Sequence, residues 1–119
     1  MAILLDTSAV IVLLRRGRPA RYEAAAAAAG EALAGGRALL SAVSSAELLV
    51  GARDARAVAD LTELLGAIPV VAVDREVGAL AGRMGASARR SGATIPLPDL
   101  LIAATAVWLD VPLLTCDSD

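Results

Sequence analysis

Ala2-Ile3-Leu4-Leu5-Asp6-Thr7-Ser8-Ala9-Val10-Ile11-Val12-Leu13-Leu14, residues 2–14, places one acid between two apolar runs. The first run is short and apolar on successive residues, as a strand buried on both faces requires. The second keeps apolar residues at helical as well as continuous spacing. The stretch predicts a buried strand over residues 2–5 that turns at Asp6 directly into a helix over residues 7–14.

The same alternation continues outward. A basic, Pro-containing turn at residues 15–19 leads to an alanine-dominated helix over residues 21–33, which Gly35 and Gly36 end. Residues 38–40 form a second buried strand, and Ser44 opens a helix to about Val50. Another helix covers residues 55–65. The β-branched stretch 68–73 is a third strand, and Asp74 caps a helix extending to Arg90. Residues 91–98 form a loop by their Gly and two Pro, residues 99–109 a buried helix, and Pro112 precedes a last strand at 113–115. Strands apolar on both faces and separated by helices imply a parallel sheet covered on both sides, an α/β fold of three layers. At 119 residues without a composition break or internal repeat, residues 1–119 form one domain.

Composition narrows the chemistry. Hydrophobic residues make up 57%, yet there is one Trp, one Tyr and no Phe, so the core is aliphatic and base stacking on aromatic platforms is disfavoured. No histidine is present, which removes the Ser-His-Asp triad, the usual general base and the commonest transition-metal ligand. One cysteine makes neither a disulfide nor a zinc site. What remains is carboxylates, hydroxyls and Arg, and oxygen ligands favour Mg²⁺ or Mn²⁺. The formal net charge of -2 attracts no polyanion overall, so any nucleic acid would have to be held by local basic groups and bound metal, and composition neither predicts nor forbids such a substrate. Neither apolar run approaches the ~20 residues of a membrane span. The apolar N-terminus starts at Met1 with arginines after it, the reverse of a secretory signal, and the expected location is cytoplasmic.

Ligands of an open parallel sheet bind beyond the carboxyl ends of its strands. Asp6 and Asp117 stand just past two strands, while Glu47 and Asp99 stand in the first turns of helices, so all four can reach one edge. Each also has an ordinary reading. Asp6 can cap the helix at Thr7, Ser44-Ser45-Ala46-Glu47 has the form of a capping box, and Asp99 after Pro98 is a favoured acid of a first turn. Asp54, Asp60, Glu63, Asp74, Glu76 and Asp110 are assigned to surface or cap positions. A cap stabilises by ~1 kcal/mol, whereas two carboxylates ~4 Å apart repel by roughly 4 kcal/mol at an effective dielectric of 20. Four converging acids therefore require a cation or protonation.

Four segments in order carry a family resemblance: Leu5-Asp6-Thr7-Ser8-Ala9-Val10, Ser45-Ala46-Glu47-Leu48, Pro98-Asp99-Leu100-Leu101-Ile102-Ala103-Ala104 and Leu114-Thr115-Cys116-Asp117-Ser118-Asp119. Together they resemble the PIN-domain nucleases, in particular the VapC-like toxins of bacterial toxin-antitoxin pairs, over the whole chain. The resemblance implies a three-layer α/β/α sandwich with a central parallel sheet. It also implies metal ligation by Asp6, Glu47, Asp99 and Asp117, and Mg²⁺- or Mn²⁺-dependent endonuclease action on RNA. Asp6 and Asp99 take the core ligand roles, and Glu47 and Asp117 complete the set directly or through water. Ser8 and Thr115 are placed to orient water or a ligand carboxylate. The likeness further implies a small antitoxin as partner and a homodimer. Family members usually continue past the last Asp-x-Asp with an aromatic residue and a further strand, and this sequence stops at Asp119, so a sheet without that strand is expected. Asp117 is preferred to Asp119 because it follows Thr115 at the family spacing.

Arg15, Arg16, Arg18 and Arg21 form a dense basic stretch, and Arg83, Arg89 and Arg90 a looser one. Each suits RNA phosphates, an acidic partner segment or a solvated helix end. Two other functions remain open: a PIN nuclease of RNA maturation or decay without an antitoxin, and a non-catalytic module of the same fold acting through protein contacts.

Overall fold

The computed structural model describes residues 1–15 and 17–116, so Arg16, Asp117, Ser118 and Asp119 lie outside the described residues. Its strands are β1 (Ile3–Leu5), β2 (Ala38–Ser41), β3 (Val70–Val71) and β4 (Leu113–Leu114). The helices are α1 (Thr7–Leu14), α2 (Glu23–Ala34), α3 (Ala42–Gly51), α4 (Ala55–Ala67), α5 (Arg75–Arg90) and α6 (Leu97–Leu109), with a 3₁₀ turn at Ala20–Tyr22. All pairings are parallel, in the order β3-β2-β1-β4.

Alternation along β1 explains the layers. Leu4 and Leu5 are both fully buried but belong to different clusters, because successive strand residues face opposite sides. Leu5 packs with Leu40, Val10 of α1, Ala29 and Ala32 of α2, and Leu61 of α4. Leu4 packs with Ile102 and Ala106 of α6. The outer face of α6 is covered by α5, where Val77 and Ala81 meet Leu100 and Ala104. Burying each of these leucines contributes roughly 1.5–3 kcal/mol. The alanines of α2 serve packing: Ala26, Ala29 and Ala32 are buried, and small side chains let that helix lie close to α1.

Three local details differ from the sequence expectation. Helix α3 begins at Ala42, because Ser41 at the end of β2 accepts from the Val43 amide at 3.1 Å and caps it. The anticipated capping box at Ser44 is therefore absent, and Ser44 lies inside the helix, fully buried. Helix α6 begins at Leu97, with Pro98 in its first turn, where a missing N–H loses no helical bond. The stretch 68–73 yields only the two-residue edge strand β3, since it pairs on one side alone, through Leu40↔Val70 and Ser41↔Val71. Among the described residues, no helix is long and apolar enough to cross a membrane.

Candidate active site

In the order β3-β2-β1-β4, the chain steps from β1 toward β2 on one side and returns to place β4 on the other. The crossovers thus diverge at β1, and a crevice opens beyond the carboxyl ends of β1 and β4. A cavity of about 510 Å³ lies there, lined by Asp6 and Ser8 after β1, Thr115 and Cys116 after β4, and Ile95 and Asp99 at the start of α6.

Asp6 is the most constrained of these groups. The Leu5-to-Asp6 backbone leaves β1 with the Asp6 amide donating to the Leu114 carbonyl at 2.8 Å, and Asp6 is the N-cap of α1. Its Oδ1 accepts from the Thr7 amide at 2.9 Å. Its Oδ2 accepts from the hydroxyls of Ser8 and Thr115, each at 2.9 Å. Both hydroxyl protons point at one oxygen, so the 3.3 Å separation of Ser8 Oγ from Thr115 Oγ1 follows from their shared acceptor. Ser8 Oγ in turn accepts from the Cys116 amide at 2.9 Å, tying α1 to the chain after β4. Asp6 does cap its helix, as the ordinary reading holds, but two of its three donors are side chains that a cap alone does not need.

Glu47 sits on α3 with its carboxylate exposed, and its Oε1 accepts from Thr7 Oγ1 at 2.7 Å. It borders a second groove, about 600 Å³, between α1, α3 and α4, lined by Ile11, Leu14, Arg15, Leu48 and Arg53. The structure therefore brings Asp6 and Asp99 into one cavity and joins Glu47 to Asp6 through Thr7. Among the described residues, no three acidic or sulfur side chains gather closely enough to hold a metal ion between them. Of the four carboxylates expected from the sequence, Asp6, Glu47 and Asp99 do not by themselves make such a group. Asp117 and Asp119 lie outside the described residues.

The donor set at the cavity nevertheless suits a hard divalent cation. Mg²⁺ keeps most of its waters and takes one or two protein carboxylates, which Asp6 and Asp99 offer. No ion pair reaches Asp6 or Glu47 among the described residues; Arg18 Nε instead meets Glu23 Oε1 at 3.1 Å. Much of the N-terminal basic stretch is occupied locally. Arg18 also donates to the Arg15 carbonyl, and the Arg21 guanidinium lies 4.8 Å over the Tyr22 ring. Sequence reasoning passed over Thr7 and took Ser44 for a cap; the only signal available was a hydroxyl immediately after Asp6.

Comparisons with known proteins bear on the family and the fold. Residues 3–119 match the PIN domain family model. No curated protein matches the chain. Among solved structures, the chain is similar to FitAcB from Neisseria gonorrhoeae at 26% identity and TM-score 0.75, covering 93% of this chain and 84% of that one. It is similar to VapBC-5 from Mycobacterium tuberculosis, a member of the VapBC family of toxin-antitoxin systems, at 26% identity and TM-score 0.66, covering 99% and 86%. VapC20 from the same organism, a sarcin-ricin loop cleaving toxin, shares the fold at 18% identity and TM-score 0.69, covering 99% and 92%.

Proposed function

The chain belongs to the PIN domain family, and on that premise we propose that it is a Mg²⁺- or Mn²⁺-dependent endoribonuclease, the toxin of a toxin-antitoxin pair. The observation that carries this reading is Asp6, held by the Thr7 amide and the Ser8 and Thr115 hydroxyls at a cavity that Asp99 shares. An acid oriented by three donors, beside a second acid at the sheet's switch point, is placed to bind rather than merely to cap.

Asp6 and Asp99 would hold the ion, with Glu47 and Asp117 completing its surroundings directly or through water. A bound divalent ion supplies Lewis acidity toward the phosphodiester and makes water a better nucleophile near neutral pH. Ser8 and Thr115 keep Asp6 in one orientation, so that little reorganisation accompanies binding. Ile95 and the apolar wall of Ile102 and Leu113 limit water on one side. Arg89 lines a smaller cavity that shares Ile95 with the site, and it is placed to meet an RNA phosphate.

Exposed apolar side chains support partners. Ile11 and Leu14 on α1, Val50 on α3 and Trp108 on α6 are half or more exposed, or close to it, and a small antitoxin and a second copy of the chain are the partners proposed for these surfaces. The soluble cytoplasm is the proposed location.

The test is incubation of purified protein with total RNA in Mg²⁺, Mn²⁺ or EDTA, beside Asp6→Asn and Asp99→Asn. Metal-dependent cleavage, abolished by both substitutions, is expected. Cleavage that survives EDTA or both variants rejects the mechanism. No cleavage under any condition favours the non-catalytic module, for which the observation in hand is that the described acids do not by themselves form a metal cage.

A further inference from the structure

We infer, on the nuclease reading above, that Thr7 is a positioning residue that sets Glu47 relative to Asp6 through a directed chain of hydroxyl hydrogen bonds from Ser44 to Thr7 to Glu47. Thr7 Oγ1 lies 2.7 Å from Glu47 Oε1 and 2.8 Å from Ser44 Oγ. A threonine hydroxyl has one proton, and an ionised carboxylate only accepts. The Thr7 proton therefore goes to Glu47, and Ser44 donates to the Thr7 oxygen. Ser44 is fully buried and has no other side-chain partner among the described residues, so this direction also satisfies its own proton.

The consequence is geometric. Through its amide Thr7 holds Asp6 Oδ1, and through its hydroxyl it holds Glu47 Oε1, although the two acids belong to elements 41 positions apart in sequence (47 − 6). Glu47 is exposed, and without a tether its side chain would sample several rotamers. With Oε1 held by Thr7 the carboxylate keeps one orientation, and it retains lone pairs for a cation or its water. Thr7 touches neither substrate nor metal in this scheme; it acts through the two acids beside it.

The experiment uses the full chain and measures Mn²⁺ affinity by titration, RNA cleavage, and urea unfolding of the metal-free protein. Thr7→Val keeps the shape and removes the hydroxyl. Loss of such an outer partner weakens metal binding by about 10- to 100-fold in other sites, and a loss of at least ~10-fold is expected here. Thr7→Ser restores the hydroxyl and is expected to stay within roughly 3-fold of the original chain, well short of that range. In a Glu47→Ala background Thr7→Val is expected to cost little further Mn²⁺ affinity, since its acceptor is already gone, and less stability than in the original chain, since only the Ser44 bond is left to lose. Unchanged Mn²⁺ affinity in folded Thr7→Val overturns the inference, as does an equal loss in Thr7→Ser. So does additivity of Thr7→Val and Glu47→Ala in unfolding of the metal-free protein, a readout that stands whether or not metal binds. If the original chain and Asp6→Asn bind Mn²⁺ equally, the nuclease reading fails first and this inference with it; a failure confined to the Thr7 variants leaves that reading standing.

Discussion

Ser8→Ala probes the junction that holds the site together. Ser8 Oγ donates to Asp6 Oδ2 and accepts from the Cys116 amide, both at 2.9 Å. Removing it deletes a hydrogen bond to a charged group, worth about 1.5–3 kcal/mol net, and strands an N–H at a cost of about 1–3 kcal/mol if fully buried. Both groups are only partly buried, so water replaces some of each loss, and the low ends apply. Alanine regains about 0.5 kcal/mol of helix propensity, and Thr115 still donates to Oδ2. The balance is a destabilisation of about 2 kcal/mol, read by urea or thermal unfolding and worth roughly 6–10 °C at this chain length. The loss should be local as well as global. Residue 8 reaches 108 positions along the chain to a segment that follows a two-residue strand. Amide exchange at Cys116 should therefore rise while the β1–β2 ladder keeps its protection. Ser45→Ala, at a half-buried serine of α3 with no hydrogen bond among the described residues, is the control and should stay within about 0.5 kcal/mol. A Ser8→Ala change that small, or unaltered exchange at Cys116, would refute the reasoning.

Two glycines of α5 should respond with opposite sign. A Cβ at Gly85 would stand 2.7 Å from Leu100 Cδ1; overpacking of about 1–3 kcal/mol then exceeds the ~1 kcal/mol gained in helix propensity, so Gly85→Ala should destabilise. Gly82 has open space around it, and Gly82→Ala should stabilise by about 1 kcal/mol; equal signs in urea unfolding would contradict the α5–α6 packing. Asp110, at φ 55° and ψ 50°, ends α6 in the left-handed region. Asp110→Gly should raise stability by about 0.5–1 kcal/mol, and thermal unfolding would show it.

Helix α1 after β1, the Asp74 cap of α5 and the parallel α/β class were all legible in the chain. Each rests on contacts within a few residues, where periodicity and capping chemistry leave a direct trace. Legibility fell where neighbours compete. Ser41 and Ser44 are both plausible caps by composition, and only the end of β2 decides that Ser41 takes the role while Ser44 is buried against Thr7. Positions beside strand and helix ends named Asp6, Glu47, Asp99 and Asp117 together, and of these Asp6 and Asp99 line one cavity. Glu47 was named for a shared cluster but reaches Asp6 only through an intervening hydroxyl.

Amino-acid order alone determined the alternation of strand and helix, the aliphatic core, and a chemistry restricted to carboxylates, hydroxyls and arginines by the absence of histidine. Tertiary structure decided which hydroxyl meets which acid. Thr115 reaches Asp6 across 109 positions and Thr7 reaches Glu47 across 40. Those meetings exist because β4 pairs beside β1 and α3 packs beside α1, arrangements set by burial of surfaces distant along the chain, for which local pattern holds no record.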